Sequence, residues 1–515
     1  MPTLIESLNN NEEKIFLTPI QKFYSGTNIF ITGGTGFLGK ILIEKLLRSC
    51  PDVSTLYVLV RSKKGRNMTA RMEELFDDPV FDKLKEVCPK FRHKVVGVAG
   101  DCSLADLGLT MQDRQLLIQE VSIVFHIAAT VRFDEKLKLA MAINVKGPRE
   151  VMLLCREMQN LKVAIHVSTA YSNCNLSTIE EKFYPSPMDS KKLIMLTDTI
   201  NERLLEKVTP ILLDQWPNTY TYTKAVAEDI VRQEGEGLPV GVFRPSVVVS
   251  TFKEPVKGWI NNMYGPTGVC AGAGTGVLRT LHCDGNVNAN IIPVDMCVNS
   301  LITTAWDVGE TYEACKKEQK NFEIPVYHYE SSNEQPISWG RFMDLSASYG
   351  MDVPTIKAIW YYCLMLQPTV IGYNVTLFFL HILPAAICDF TLFCIGKPPK
   401  LLKIYKKIHR FTSVISYFCT RNWVFKSERM RKLCNKMTKE DREIFFCDLK
   451  QLDWQEYFKE YIKGIRVYLI GDPLTTMDDA RSKWSRLYWL HQAFKVLVVF
   501  FIFRTTWSMF SSLLV

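Results

Sequence analysis

The stretch Thr27–Gly39, TNIFITGGTGFLG, constrains the fold of this chain more than any other. Ile29, Phe30 and Ile31 read as a buried strand. The chain then turns through Gly33, Gly36 and Gly39 and resumes as KILIEKLLRSC, whose apolar residues recur at helical spacing. Glycines so placed permit a tight turn and let backbone amides approach a pyrophosphate, which the helix N-terminus also attracts. Three spaced glycines alone are weak evidence; a strand before and a helix after make them a strong dinucleotide signal. Further apolar runs follow at LYVLV, HKVVGVAGD, VSIVFHIAA, KVAIHVST and PVGVFRPSVV, with helical stretches between most of them. This alternation predicts an α/β fold, a doubly wound parallel-sheet Rossmann domain with its ligand crevice at the carboxyl ends of the strands.

The end of the second strand selects the cofactor. An NAD site usually carries an acid there, bonding the ribose 2′-hydroxyl. Here stands Arg61, with Lys63 and Lys64 just beyond, so a 2′-phosphate and NADPH are favoured. The expected cofactor contacts are Gly33, Gly36, Phe37, Leu38, Gly39, Arg61, Asp101 (toward the adenine amino group), Ala128, Ala129 and Lys224. Tyr220 and Lys224 form Tyr-x-x-x-Lys, which puts both on one helical face. The lysine can bind the nicotinamide ribose and lower the phenol's pKa, and the tyrosine can donate a proton to a reacting oxygen. The same spacing recurs at Tyr312–Lys316, in a highly charged stretch beyond the main pattern, so Tyr220 is preferred. Ser168 and Thr169 both suit a hydrogen bond to the substrate oxygen, and strand alternation points only one of them inward. His126 and His166 sit inside apolar strands and read as core.

Other parts of the 515-residue chain carry different signals. The 15 cysteines include no Cys-x-x-Cys and the eight histidines no His-Glu-x-x-His, so no metal site is expected and the compartment reads as reducing. Residues 1–25 show no secretory signal. A segment at about 180–216 reads as an insert positioned to cover the crevice. Residues 358–388 hold no Asp, Glu, Lys or Arg, whereas 397–442 carry 14 basic residues against three acids. The uncharged segment is long enough to span a bilayer once. A single crossing, however, would separate the catalytic domain from a basic patch that also belongs on the cytosolic side. With Pro368, Gly372, Asn374 and Pro384 as breakers, a re-entrant or surface-lying segment is expected; the alternative is that it forms the apolar core of the C-terminal domain. A C-terminal membrane anchor is expected over 493–515, interrupted by Arg504.

In combination, TGGTGFLG, AGD, HIAAT, VSTAYSN, YTYTK, RPS and PVD resemble the extended short-chain dehydrogenase/reductases. More closely, VRFDEKLKLAMAINVKG, HVSTAYSNCN and the insert before WPNTYTYTKA resemble the fatty acyl-CoA reductases. The region after Pro354, with KPPKLLKIYKKIHR and LDWQEYF, is similar to that family's smaller C-terminal domain. The resemblance implies a catalytic domain over 26–330 behind an N-terminal extension (1–25), and a mainly helical, membrane-associated C-terminal domain over 355–470. It implies NADPH-dependent reduction of a long-chain fatty acyl-CoA to a primary alcohol with release of CoA. Two hydride transfers would pass through a hemithioacetal and an aldehyde. Tyr220 then matches the proton donor, Lys224 the ribose-binding lysine and Thr169 the oxyanion donor, with Ser168 the fallback. Membrane lipid is an implied partner and nucleic acid is not. The catalytic domain would face the cytosol from the endoplasmic reticulum or the peroxisome. A membrane-bound steroid or sugar-nucleotide dehydrogenase would share the glycines and Tyr-x-x-x-Lys but need neither the insert nor the C-terminal domain. A non-catalytic NADPH-binding scaffold on membranes would not need Tyr220 and Lys224.

Overall fold

Seven parallel strands make the central sheet: β1 (Asn28–Thr32), β2 (Thr55–Val60), β3 (Val95–Ala99), β4 (Ile123–His126), β5 (Val163–Val167), β6 (Val240–Pro245) and β7 (Val326–Tyr329). Their order across the sheet is β7-β6-β5-β4-β1-β2-β3. The chain runs outward from β1 to β3 and then returns to place β4 beside β1, so the order reverses there and a crevice opens past the carboxyl ends. The computed structural model describes residues 17–62, 65 and 67–513; residues 1–16, Lys63, Lys64, Arg66 and the last two residues of the tail lie outside the described residues. Strands β4 and β5 are buried along their whole length, which is why they read as unbroken apolar runs. Ile29 and Ile31 face one core layer and Phe30 the other, as strand alternation requires.

Helix α1 (Phe37–Ser49) follows the glycine turn, and α2 (Met68–Phe76) follows β2. Helix α3 runs Leu137–Met141, opens into a π turn over Ala142–Lys146 and continues through Gly147–Glu157. After β5 come α4 (Ser190–Thr199), α5 (Glu202–Leu213) and α6 (Thr219–Glu234); then α7 (Pro266–Gly274), α8 (Val294–Lys317) and α9 (Trp339–Asp352). Helices α1 and α8 cover one face of the sheet, α3 and α6 the other. The insert does not cover the crevice. Leu193 of α4 and Leu205 of α5 pack with Tyr222, Val226 and Ile230 of α6 and with Leu137 and Met141 of α3. Its apolar faces therefore meet the back of α6, and the insert buttresses that helix from outside.

The C-terminal region adds α10 (Val370–Leu377, a π turn over Phe378–Ile382, then Leu383–Cys394), α11 (Leu401–Cys419), α12 (Trp454–Gly464) and α13 (Met477–Leu513). The uncharged segment departs from expectation at both ends. Met365–Gln367 pairs as a short strand with Thr280–His282, and the helix begins only after Thr369 caps it. It then runs unbroken through Gly372, Asn374 and Pro384. The π turn just before Pro384 takes up the mismatch that a proline ring causes inside an α-helix. Helix α11 returns antiparallel along α10. Tyr373 meets Thr412 at 3.2 Å, His381 meets His409 at 3.1 Å, and Asp389 accepts the amides of Lys400, Leu401 and Leu402, each at 2.9 Å. Helix α12 docks against the catalytic region, with Tyr457 bonded to Ser250 (2.9 Å) and Tyr461 to Thr267 (3.0 Å).

Candidate active site

A cavity of about 1020 Å³ lies past the carboxyl ends of β1, β2, β4, β5 and β6. Gly33, Gly36, Phe37, Leu38, Gly39, Arg61, Asp101, Ala128, Ala129, Ser168, Thr169, Tyr220 and Lys224 all line it, so the sequence-predicted residues converge on one space.

At the glycine turn, Gly33 has φ +77°, a left-handed conformation, and a Cβ there would stand 2.7 Å from the Ala128 nitrogen. A Cβ on Gly39 would stand 2.3 Å from the Gly33 carbonyl oxygen. The turn thus packs tightly against the segment after β4 and under α1. Gly36 caps α1 without a side chain, which leaves the first-turn amides open to an anion.

Arg61 ends β2 with its side chain 46% exposed, and its Nη1 lies 4.0 Å from Asp101 Oδ2. Asp101 is partly engaged already: Oδ1 accepts from the Ser103 amide (2.9 Å) and hydroxyl (2.8 Å). A second cation, Arg71 of α2, was not read from the sequence. Its guanidinium donates to the Arg61 carbonyl (2.6 Å) and to Thr35 Oγ1 (3.1 Å). Burial, and then the neighbouring Arg61, hold the Arg71 pKa below its usual value. Two guanidiniums crowded beside the cofactor turn favour a dianion between them. Only the fold brings Arg71 here, from ten residues beyond Arg61.

Asn218 caps α6 by accepting from the Thr221 amide (2.9 Å). Lys224, one turn after Tyr220, is buried and donates to the Val167 carbonyl at the end of β5 (2.7 Å). This differs from the expected action on the phenol. Burial pushes Tyr220 up to about 12, opposed only by its hydrogen bond with Thr169, because the Lys224 ammonium is turned to β5. Burial lowers Lys224 itself to about 8, against the pull of Glu228.

Ser168 and Thr169 both line the cavity and differ in what holds them. Ser168 Oγ donates to Glu228 Oε1 at 2.5 Å, away from Tyr220. Glu228 in turn accepts two bonds from Arg244 (2.9 and 2.5 Å), which is wholly buried. Arg244 also donates to the carbonyls of Glu180 and Lys182 (3.1 and 3.0 Å) and to His328. Thr169 is left beside the phenol. Asn144, on the π turn, accepts the Thr130 amide (2.9 Å) and donates to Thr223 Oγ1 (3.0 Å), tying the segment after β4 to α6.

Beyond Tyr220 the cavity becomes apolar. The Tyr220 ring stacks on Phe133 (5.6 Å between centroids), and Phe133 meets Phe418 of α11 (5.3 Å). Leu281, Trp339, Met343 and Ile415 complete this wall. None of the insert's residues, 180–216, lines the cavity. Tyr312 lies outside it too, donating to the Gly237 carbonyl (3.1 Å). His126 and His166 are buried in the core and stacked at 5.4 Å, and burial holds both pKa values well below the usual range. His126 bonds Thr32 (2.7 Å), whereas both ring nitrogens of His166 lack a partner among the described residues.

Comparison with known proteins gives a consistent result. An NAD-binding family model described as male sterility protein matches residues 31–301, and a second model of that description, the Sterile domain, matches 380–472. The chain is 42% identical over 497 residues to a Drosophila melanogaster fatty acyl-CoA reductase, covering 96% of this chain and 94% of that protein. It is 36% identical over 488 residues to human fatty acyl-CoA reductase 1, covering 95% and 93%. Among solved structures it is similar to the reductase domain of a Mycobacterium tuberculosis non-ribosomal peptide synthetase. The TM-score is 0.56 at 18% identity, over 88% of this chain and 93% of that one, a likeness of fold.

Proposed function

The chain belongs to the fatty acyl-CoA reductase family, and on that premise we propose that it reduces long-chain fatty acyl-CoA to the primary alcohol with NADPH, releasing CoA. The observation that carries this reading is the cavity's polarity. A glycine turn with two arginines stands at one end, an apolar wall at the other, and Thr169, Tyr220 and Lys224 between them. Gly33, Gly36, Gly39 and the first turn of α1 would hold the pyrophosphate, Arg61 and Arg71 the 2′-phosphate, and Lys224 the nicotinamide ribose. When bound, the nicotinamide supplies hydride to the acyl carbon.

Thr169 and Tyr220 donate to the oxygen on which charge develops, first at the thioester and later at the aldehyde. The tetrahedral hemithioacetal collapses by expelling the CoA thiolate. Tyr220, protonated at neutral pH and pushed up to about 12 by burial, then gives its proton to the alkoxide. The purified chain mixed with palmitoyl-CoA and NADPH should release free thiol; none would overturn the assignment.

Cofactor choice rests on Arg61 and Arg71. A charge-assisted hydrogen bond contributes about 1.5–3 kcal/mol, so Arg61→Asp and Arg71→Ala should each raise the KM for NADPH about 10- to 100-fold while barely changing that for NADH. Equal use of both cofactors by the parent chain would contradict this.

Among the described residues, two helices are long and apolar enough to cross a bilayer, Val370–Cys394 and Leu474–Ser508. We read the first as lying in the cytosolic leaflet of the endoplasmic reticulum or peroxisome. Ile371, Phe390 and Phe393 are 68–78% exposed on α10. The antiparallel α11 beside it carries Lys403, Lys406, Lys407 and Arg410, none ion-paired among the described residues. Spanning would draw these cations to bilayer depth at about 2.5–3.5 kcal/mol each, whereas at the surface they meet anionic headgroups. Helix α13 emerges beyond His491, which is held by Trp360 Nε1 (3.1 Å), and serves as the anchor. Removing residues 493–515 should therefore make the protein extractable by carbonate. Unchanged carbonate-resistant pelleting would show instead that α10 spans.

A further inference from the structure

We infer that a second, smaller cavity behind Met343 receives the terminal methylenes of the acyl chain, and that Met343 sets the chain length this enzyme accepts. The inference rests on the acyl-CoA reading above. Met343, on α9, lines both the active-site cavity and this second space of about 50 Å³. The partition is thin: Val269 of α7 faces the first cavity and its neighbour Cys270 the second. The second cavity is walled by Ala273, Gly274, Ala347 and Gly350, and lined further by Ile465 and Trp484. A Cβ built on Gly274 or Gly350 would meet nothing within 4 Å, so the space continues up to those backbones. A water-sized group needs about 10–15 Å³, which gives room for roughly three or four methylenes.

The side of Met343 facing the active site belongs to the apolar wall with Leu281 and Trp339, the end of the cavity a fatty chain would reach from Tyr220. Methionine is unbranched and has three side-chain torsions, so it can swing aside where a branched residue would block. A chain too short to reach Met343 would leave the partition closed. A longer one would displace the thioether and bury its end beyond it.

The test uses the full chain with NADPH and a ladder of saturated acyl-CoA thioesters, reading kcat/KM from thiol release. Each further buried methylene is worth about fourfold. Met343→Ala should therefore raise kcat/KM about fifteenfold for chains two carbons beyond the parent optimum, relative to that optimum. Ala347→Leu fills only the second cavity. It should move the optimum to shorter chains, leave the shortest substrates unchanged, and cancel the gain when combined with Met343→Ala. If Met343→Ala is too unstable to assay, Ala347→Leu alone decides. The same length profile in every variant would overturn the inference while leaving the acyl-CoA reading intact. No thiol release from any member of the ladder by the parent chain would overturn both.

Discussion

Tyr220→Phe should lower kcat about 10³-fold while leaving the Kd for NADPH within about twofold. In the proposed mechanism the phenol gives its proton to an oxygen held by Thr169; it lines the cavity, and burial raises it to about 12, so it is protonated at neutral pH. Its ring stacks on Phe133, so a phenylalanine keeps the packing and loses only the hydroxyl. The groups assigned to the cofactor phosphates, at the glycine turn and at Arg61 and Arg71, do not involve the hydroxyl. Single-turnover rates measured beside cofactor fluorescence titration separate the two effects. A variant that retained turnover would remove Tyr220 from the chemistry, and activity lost only in Tyr312→Phe would transfer the role to the second motif.

Glu228→Ala should destabilise the protein by about 3–5 kcal/mol, the cost of leaving a buried charge unpaired. Arg244 has no exposed surface, and Glu228 is its only carboxylate partner among the described residues. The carbonyls of Glu180 and Lys182 and the ring of His328 cannot neutralise it. The same substitution frees Ser168 from the bond that holds it away from Tyr220. Thermal unfolding of the detergent-solubilised chain should show a clearly lowered midpoint. Ser168→Ala, which removes one bond and no charge, should shift it far less. A Glu228→Ala midpoint equal to the parent's would mean that Arg244 finds another counter-charge.

Much of this architecture is legible in the chain because the physics is local. Strands β1, β2, β4 and β5 are buried on both faces and so appear as apolar runs. Gly39 is dictated by a contact across a turn of a few residues, and Gly33 takes the left-handed φ of that turn. Tyr220 and Lys224 sit one helical turn apart. What was missed is long-range. Strand β7 is only VYHY, and its His328 is buried because Arg244 and the Lys426 carbonyl claim its ring. Arg71 reaches the cofactor site only because α2 folds back along β3 and the glycine turn. The insert was misplaced because its amphipathic pattern says that it has a buried face, not which surface that face meets. Strand alternation would point only one of Ser168 and Thr169 inward, but both lie just past β5 and line the cavity, and only Glu228, sixty residues later, engages the Ser168 hydroxyl. The Lys224 charge acts on Val167 rather than on the phenol, a direction that helical spacing does not specify.

In the proposed function, one site carries an acyl thioester through two reductions. The most direct measurement is stoichiometry: NADPH consumed, CoA thiol released and organic product identified in one reaction of the purified chain with palmitoyl-CoA. Two NADPH should be oxidised for each CoA released, with hexadecanol as the product. One NADPH per CoA with free aldehyde as the end product would contradict this, as would thiol release with no NADPH consumed.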